Sequence, residues 1–116
     1  MFETPEQLSS LLGKLKAKSL LFKDVIEFIE VRYQHQPTAF KNGDAINEST
    51  QNQGSARVFA FAQLNNLSAA DTLLLFAEHY QSVLDNPGGT DHQNIRQFMA
   101  HGWSGIAFEK QALIAK

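Results

Sequence analysis

The sequence predicts a mainly α fold (α+β with minor β): a single compact domain over residues 1–116, with about five helices plus a short hairpin or two-stranded element. Three observations carry this. Apolar residues recur at helical spacing over most of the chain, as in Phe22, Val25, Ile26, Ile29 and Tyr33, the stripe of a helix that buries one face. Turn chemistry with short extended arms is confined to two places, around Asn42-Gly43 and Ser104 to Phe108. With 43% hydrophobic and 19% charged residues in 116, the chain can bury a core without staples, and its composition argues against disorder.

In chain order, Thr4-Pro5-Glu6-Gln7 is a helix start: Thr4 can cap, Pro5 suits the first helical position and Gln7 completes a capping box. Leu8, Leu11, Leu12 and Leu15 then mark one face of a helix over about 5–17. A second helix begins near Leu21 and ends before Pro37, because a residue preceding proline is pushed out of the α region. The two are expected to pack as a hairpin. Asn42-Gly43 is a turn signal between Thr38-Ala39-Phe40 and Ala45-Ile46, and Glu48 to Gly54 has no period and reads as a loop. Ser55 can cap a helix running to about Asn65, whose alanines and leucine favour helix over strand.

Ser68, with Asp71 three residues on, opens what reads as the longest and most central helix, with Leu73, Phe76, Ala77, Tyr80, Val83 and Leu84 as its main face. It breaks at Asn86-Pro87. The next helix, about Asp91 to His101, shows Ile95, Phe98 and Met99 as its core face and Gly102 as a left-handed stop. Ser104 to Phe108 is extended and suited to pair with the Phe40 region, and the tail from Glu109 reads as weakly helical. The expected core comprises Leu12, Phe22, Ile26, Ile29, Phe59, Leu73, Phe76, Tyr80, Ile95, Phe98 and Trp103.

Charge and composition exclude several functions. From Asn42 to Asn94 the only basic residue is Arg57, against Asp44, Glu48, Asp71, Glu78, Asp85 and Asp91, so nucleic acid is not expected as a partner. Lys14, Lys16, Lys18 and Lys23 cluster near the N-terminus and read as a solvated face. The absence of cysteine excludes disulfides, thiolate metal sites and a cysteine nucleophile. Apolar runs fall far short of the roughly 20 residues that cross a bilayer, so no membrane partner is expected. MFETPEQLSS has neither the basic nor the apolar region of a Sec signal peptide; a type III export signal has no such fixed pattern.

Residues Tyr80 to Phe108 mix breakers, ionisable groups and the single tryptophan, and hold two of the four histidines. Within them lies Asp91-His92-Gln93-Asn94-Ile95-Arg96-Gln97-Phe98-Met99, followed by Gly102-Trp103 and Ile106-Ala107-Phe108. Upstream are Pro37-Thr38-Ala39-Phe40-Lys41-Asn42-Gly43, Asn47, Asn52-Gln53-Gly54-Ser55, Leu67-Ser68 and Thr72-Leu73. In these residues the chain resembles the HopJ type III effector family over nearly its whole length. The family is named for proteins injected into host cells by plant pathogens, and similar sequences occur in bacteria with no evident secretion role. The resemblance implies a protein of the bacterial cytoplasm, or one exported by a type III system, with a host or bacterial protein as partner and no defined reaction. Relatives usually read Gly-Ser-Cys-Lys where this chain has Gly54-Ser55-Ala56-Arg57, so no thiol role applies.

Two functional classes follow. The first is a non-catalytic protein-interaction module. The second is a small-molecule-binding protein or enzyme with a polar pocket where the Asn42 turn, the Asn52 loop and the Asp91 helix start meet; its candidate binding residues are Asn42, Asn52, Asp91, His92, Asn94, Arg96 and Trp103. On a helical wheel Asn94 and Arg96 lie on opposite flanks of the core direction, about 160° apart, so Asp91, His92, Asn94 and Arg96 do not converge from one helix. Asp91 as a cap, His92 bonded to a loop carbonyl, Trp103 as a core plug and asparagines bonded to loop backbone are the plainer roles. Arg96 is expected to reach a loop carbonyl or an acid such as Asp85 and to pin the Asn86–Thr90 turn. His79, Asp91, His92 and His101 offer metal-binding atoms without HExxH-type spacing, and Gly88-Gly89-Thr90 resembles a phosphate turn without its lysine. No catalytic residue, metal ligand or cofactor is expected.

Overall fold

Helical periodicity is realised in six α-helices among the described residues of the computed structural model, which are residues 5–116. The expected Thr4 cap lies outside them. Helix α1 (Pro5–Lys16) buries Leu11 and Leu15, and α2 (Phe22–Arg32) buries Val25 and Ile29. The N–H of Leu21 donates to the Asp24 carboxylate at 2.8 Å, closing the start of α2. The two helices find their main partners elsewhere, α1 against α4 (Ala69–Leu74) and α2 against α3 (Gln53–Leu64).

Helix α2 stops at Arg32, earlier than Pro37 requires. Tyr33–His35 instead forms β1, paired antiparallel with β5 (Leu113–Ala115) in the register Tyr33↔Ala115. The tail read as helical is therefore a strand. Leu113 is buried on the core, whereas Ile114 is 42% exposed and Ala115 is exposed too, so the strand meets the core at one end only. The hairpin forms as β2 (Phe40–Asn42) and β3 (Ala45–Asn47), with Gly43-Asp44 as its loop, one residue later than Asn42-Gly43 suggests. Gly43 takes φ +59°, and its backbone lies against the His101 ring; a side chain there has neither the conformation nor the room. Strand β4 (Ile106–Phe108) pairs with β2 as expected, Phe40 opposite Phe108, so the expected two-stranded element becomes three strands in the order β3-β2-β4.

The segment read as one long helix is broken in two. Ser68 caps α4 through Asp71 N–H at 3.1 Å. The chain then turns at Leu75-Phe76-Ala77, and α5 (Glu78–Asp85) starts afresh. Ala77 takes φ 51°, ψ −123°, a conformation left almost entirely to glycine. Sequence cannot show this, because alanine is the strongest helix former. The centre of the molecule is α3 instead, with Ala56, Val58, Phe59, Ala60, Phe61 and Ala62 all buried. The Phe59 ring meets Phe76 at 5.3 Å, Phe98 at 5.0 Å and, edge on, Trp103 at 6.3 Å between centroids, geometries favoured by aromatic quadrupoles.

Of the expected core, Ile29, Phe59, Leu73, Phe76, Ile95 and Phe98 are buried, while Leu12, Phe22, Ile26, Tyr80 and Trp103 pack against it half-buried. Met99 and Leu84, read as core-facing, are 45% and 46% exposed. Helix α6 (Gln93–His101) buries a narrower stripe, and Leu84 lies in the last turn of α5. Gly102 has the expected positive φ, +62°, but its ψ of −153° lies outside the left-handed region expected of the stop, and it opens a single 3-10 turn to Gly105 before β4. No helix among the described residues is long and apolar enough to cross a membrane.

Candidate functional site

A cavity of about 540 Å³ opens between the β2–β3 hairpin, the start of α3, the start of α6 and the α4–α5 turn. Its lining divides into a ring wall and an amide wall. Phe22, Phe76, His79 and His92 form the first. Phe22 stacks on Phe76 at 5.9 Å and meets His79 at 4.8 Å, and His79 lies 5.1 Å from His92. The ladder is assembled by the break at Ala77, which places Phe76 and His79 on either side of a turn. Phe22 is fixed from α5, since its N–H donates to the Glu78 carboxylate at 2.6 Å.

The amide wall is a side-chain network with Asn94 at its hub. Asn94 Nδ2 donates to Asn47 Oδ1, and Asn47 Nδ2 to Asn94 Oδ1, both at 3.1 Å. Asn42 Nδ2 donates to the Asn94 carbonyl at 2.7 Å and to its Oδ1 at 3.1 Å, and Asn52 Nδ2 donates to Asn47 Oδ1 at 2.6 Å. The hairpin and α6 are thereby tied together by buried hydrogen bonds, which low dielectric strengthens, and the Asn52 loop joins them through a part-buried one. Loop backbone, the expected partner of these asparagines, takes a smaller share: Asn47 Nδ2 reaches the Phe40 carbonyl at 3.4 Å. Asn42 is fully buried behind the network, outside the cavity lining, and its Oδ1 has no hydrogen-bond partner among the described residues.

Both helix starts that border the cavity are unusual. Helix α3 begins at Gln53 because Asn52, three residues before the expected cap Ser55, serves as a left-handed N-cap (φ 52°). His92 is likewise a left-handed N-cap of α6 (φ 51°). Neither cap side chain covers the first-turn N–H groups, which lack helical i−4 partners, although in α6 the Ile95 N–H donates to the His92 carbonyl at 3.0 Å. Asp91 is not the cap of α6, and no hydrogen bond joins His92 to a loop carbonyl among the described residues.

The candidate residues thus separate. Asn52, His92 and Asn94 line the cavity, and Asn42 supports it from behind. Arg96 turns away: Nη1 donates to the Pro87 carbonyl at 3.1 Å and Nη2 to the Asp91 carboxylate at 2.7 Å, while Nε donates to the Asp91 carbonyl. It pins the Asn86–Thr90 turn through a loop carbonyl as expected, that of Pro87, and the acid it meets is Asp91 rather than Asp85. Its guanidinium fills the space over Gly89, so the Gly88-Gly89-Thr90 turn is no open phosphate cradle. The hydrogen bond from Arg96 holds the Asp91 carboxyl below its usual range. Trp103 plugs the core, its Nε1 donating to the Leu67 carbonyl at 3.0 Å and its ring edge-on to Phe98 at 5.0 Å.

The cavity also contains residues that the sequence did not single out as a site. Phe22 and Phe76 read as core. His79 was set beside His92 only as a metal ligand. Asn47, spaced five residues from both Asn42 and Asn52, carried the one available hint. No group of three or more His, Cys, Asp or Glu suited to a metal occurs among the described residues; His101 packs instead over Gly43. No carboxylate, lysine or arginine lines the cavity, so its two imidazoles are its only titratable side chains.

Comparison with known proteins places this architecture. The family model described as HopJ type III effector protein matches residues 8–113. A solved structure, the crystal structure of the unknown-function protein VPA0580, is similar over 100% of this chain and 97% of that one, with a TM-score of 0.88 at 40% identity. No curated protein matches the chain.

Proposed function

The chain belongs to the HopJ type III effector protein family, and from that premise we propose that it binds a small molecule in the cavity between α3, α6 and the β2–β3 hairpin. The observation that carries this reading is the cavity itself, about 540 Å³ with a ring wall facing a fixed amide wall. Pockets of this size with few convergent polar groups are the usual form of small-molecule sites. The lining selects the ligand by chemistry. Phe22, His79 and His92 offer flat faces for a planar ring, and the Ser55 hydroxyl, the imidazoles and the first-turn N–H groups offer hydrogen bonds. With no carboxylate or fixed cation in the lining, the ligand is a small, uncharged or weakly anionic molecule with a planar ring and several hydrogen-bond acceptors.

Binding without catalysis fits best. The cavity has no pair of carboxylates, and Ser55 lies at a helix start rather than in a nucleophile elbow. The family name adds an expectation of type III export into host cells, where such a ligand would be met or delivered. A protein-interaction role has separate support in an apolar groove beside Leu84. Native mass spectrometry of the purified protein tests the ligand reading: a bound small molecule is expected, released by Ser55→Phe, which fills the cavity. A ligand retained by that variant would place binding elsewhere.

A further inference from the structure

A second concavity, about 270 Å³, runs beside the end of α1 and is walled by Leu15, Leu20, Leu21, Leu74, Tyr80 and Leu84. Leu21 and Leu84 are half-exposed, at 48% and 46%. The two sides of the groove differ in charge. The end of α1 contributes Lys16 and Lys18, while α5 contributes Glu78 and Gln81. Gln81 Nε2 donates to Asp85 Oδ1 at 3.0 Å, which holds the Asp85 carboxylate on the same side of α5. Lys18 is set by the chain: it takes φ +59° where α1 ends, with its N–H on the Leu15 carbonyl and Ser19 N–H on the Lys14 carbonyl.

An acidic partner matches only the lysine side of such a groove, and a basic partner only the Glu78–Asp85 side. A second copy of this chain, turned by a two-fold axis, matches both. Each copy then lays its basic wall on the other's acidic wall, with leucines between, as an isologous contact requires. We propose that this groove is a self-association surface, in which Lys16 and Lys18 of one copy face Asp85 of the other across Leu21 and Leu84. The proposal does not depend on the ligand cavity.

Sedimentation equilibrium of the full chain, from about 1 μM to about 1 mM, reads the outcome directly. A reversible dimer is expected, weakened by added salt because its pairs are exposed at the rim. The double variant Lys16→Glu/Lys18→Glu and the single variant Asp85→Lys should each raise Kd roughly tenfold. An equimolar mixture of the two variants should regain the original affinity as a heterodimer, since one contact then keeps its native pairing and the other is restored with signs exchanged. Leu84→Asp should abolish the dimer. All these positions are exposed, and circular dichroism checks that each variant is folded. A monomer across the whole range would overturn the proposal, as would a dimer indifferent to the charge variants or a mixture that fails to recover.

Discussion

Asn47 and Asn94 exchange two side-chain hydrogen bonds, each amide donating to the other at 3.1 Å, across 47 residues of sequence. The pair is buried and also receives Asn42 and Asn52. Removing the Asn94 amide breaks three side-chain hydrogen bonds and leaves Asn47 Nδ2 only the long bond to the Phe40 carbonyl at 3.4 Å. Asn94→Ala should therefore cost about 2–4 kcal/mol, from roughly 0.5–1.5 kcal/mol for each lost bond, by urea denaturation. A loss within error would mean that water replaces the network at no cost.

Arg96 fastens the turn before α6, and lysine cannot reproduce its planar fork. Arg96→Lys should lower stability by about 2 kcal/mol through the lost bonds to the Pro87 and Asp91 carbonyls. The same change should let the Asp91 carboxyl rise toward its usual range, seen by NMR titration. Since the folded state depresses that pKa, the contribution of Asp91 is present above the ordinary aspartate range and lost as pH falls through the folded value. An unchanged melting temperature would refute the structural role.

Ala77 occupies a backbone region that glycine enters freely. Ala77→Gly relieves strain of about 1–3 kcal/mol while adding unfolded-state entropy of roughly 0.5–1 kcal/mol. A net gain of about 1 kcal/mol is expected, read as a higher melting temperature. Destabilisation would show that the alanine methyl contributes more by packing than its backbone costs.

His35 is held below its ordinary 6.5, first by burial and then by the nearby Arg57 guanidinium. The folded state thus resists its protonation more than the unfolded chain does. This contribution is complete above pH about 6.5 and is lost as pH falls toward the lower folded value. Denaturation series between about pH 7 and pH 5 should show a steeper loss for the native chain than for His35→Gln. Parallel curves would assign the pH dependence elsewhere.

The helices were legible because each buries a stripe whose period is written locally, as in Phe22 to Tyr33. Phe40 and Phe108 were legible as partners because each sits in a short extended run. The pairing of β1 with β5 was not: Tyr33 continues the helical period of α2, and its partner Ala115 is remote in sequence. The helix break was equally hidden, since nothing about Ala77 marks a positive φ. Of the cavity lining, Asn52, His92 and Asn94 stood out in the sequence by their polarity near breakers. Phe22, Phe76 and His79 were missed because aromatic rings at helical spacing look the same whether they face a core or a cavity. Arg96 and Trp103 belong to a turn and to the core, and only three-dimensional contacts could separate them from the residues that line the cavity.

Amide NMR of the isotope-labelled protein during titration with planar heteroaromatic carboxylic acids and amides tests the binding site most directly. Saturable shifts are expected at Asn52, Gly54, Ser55, His79 and Gln93, with Leu84 and Lys18 unmoved, and they should vanish in Ser55→Phe. Absence of saturable shifts around the cavity, or shifts that persist unchanged in Ser55→Phe, would contradict a ligand site between α3 and α6.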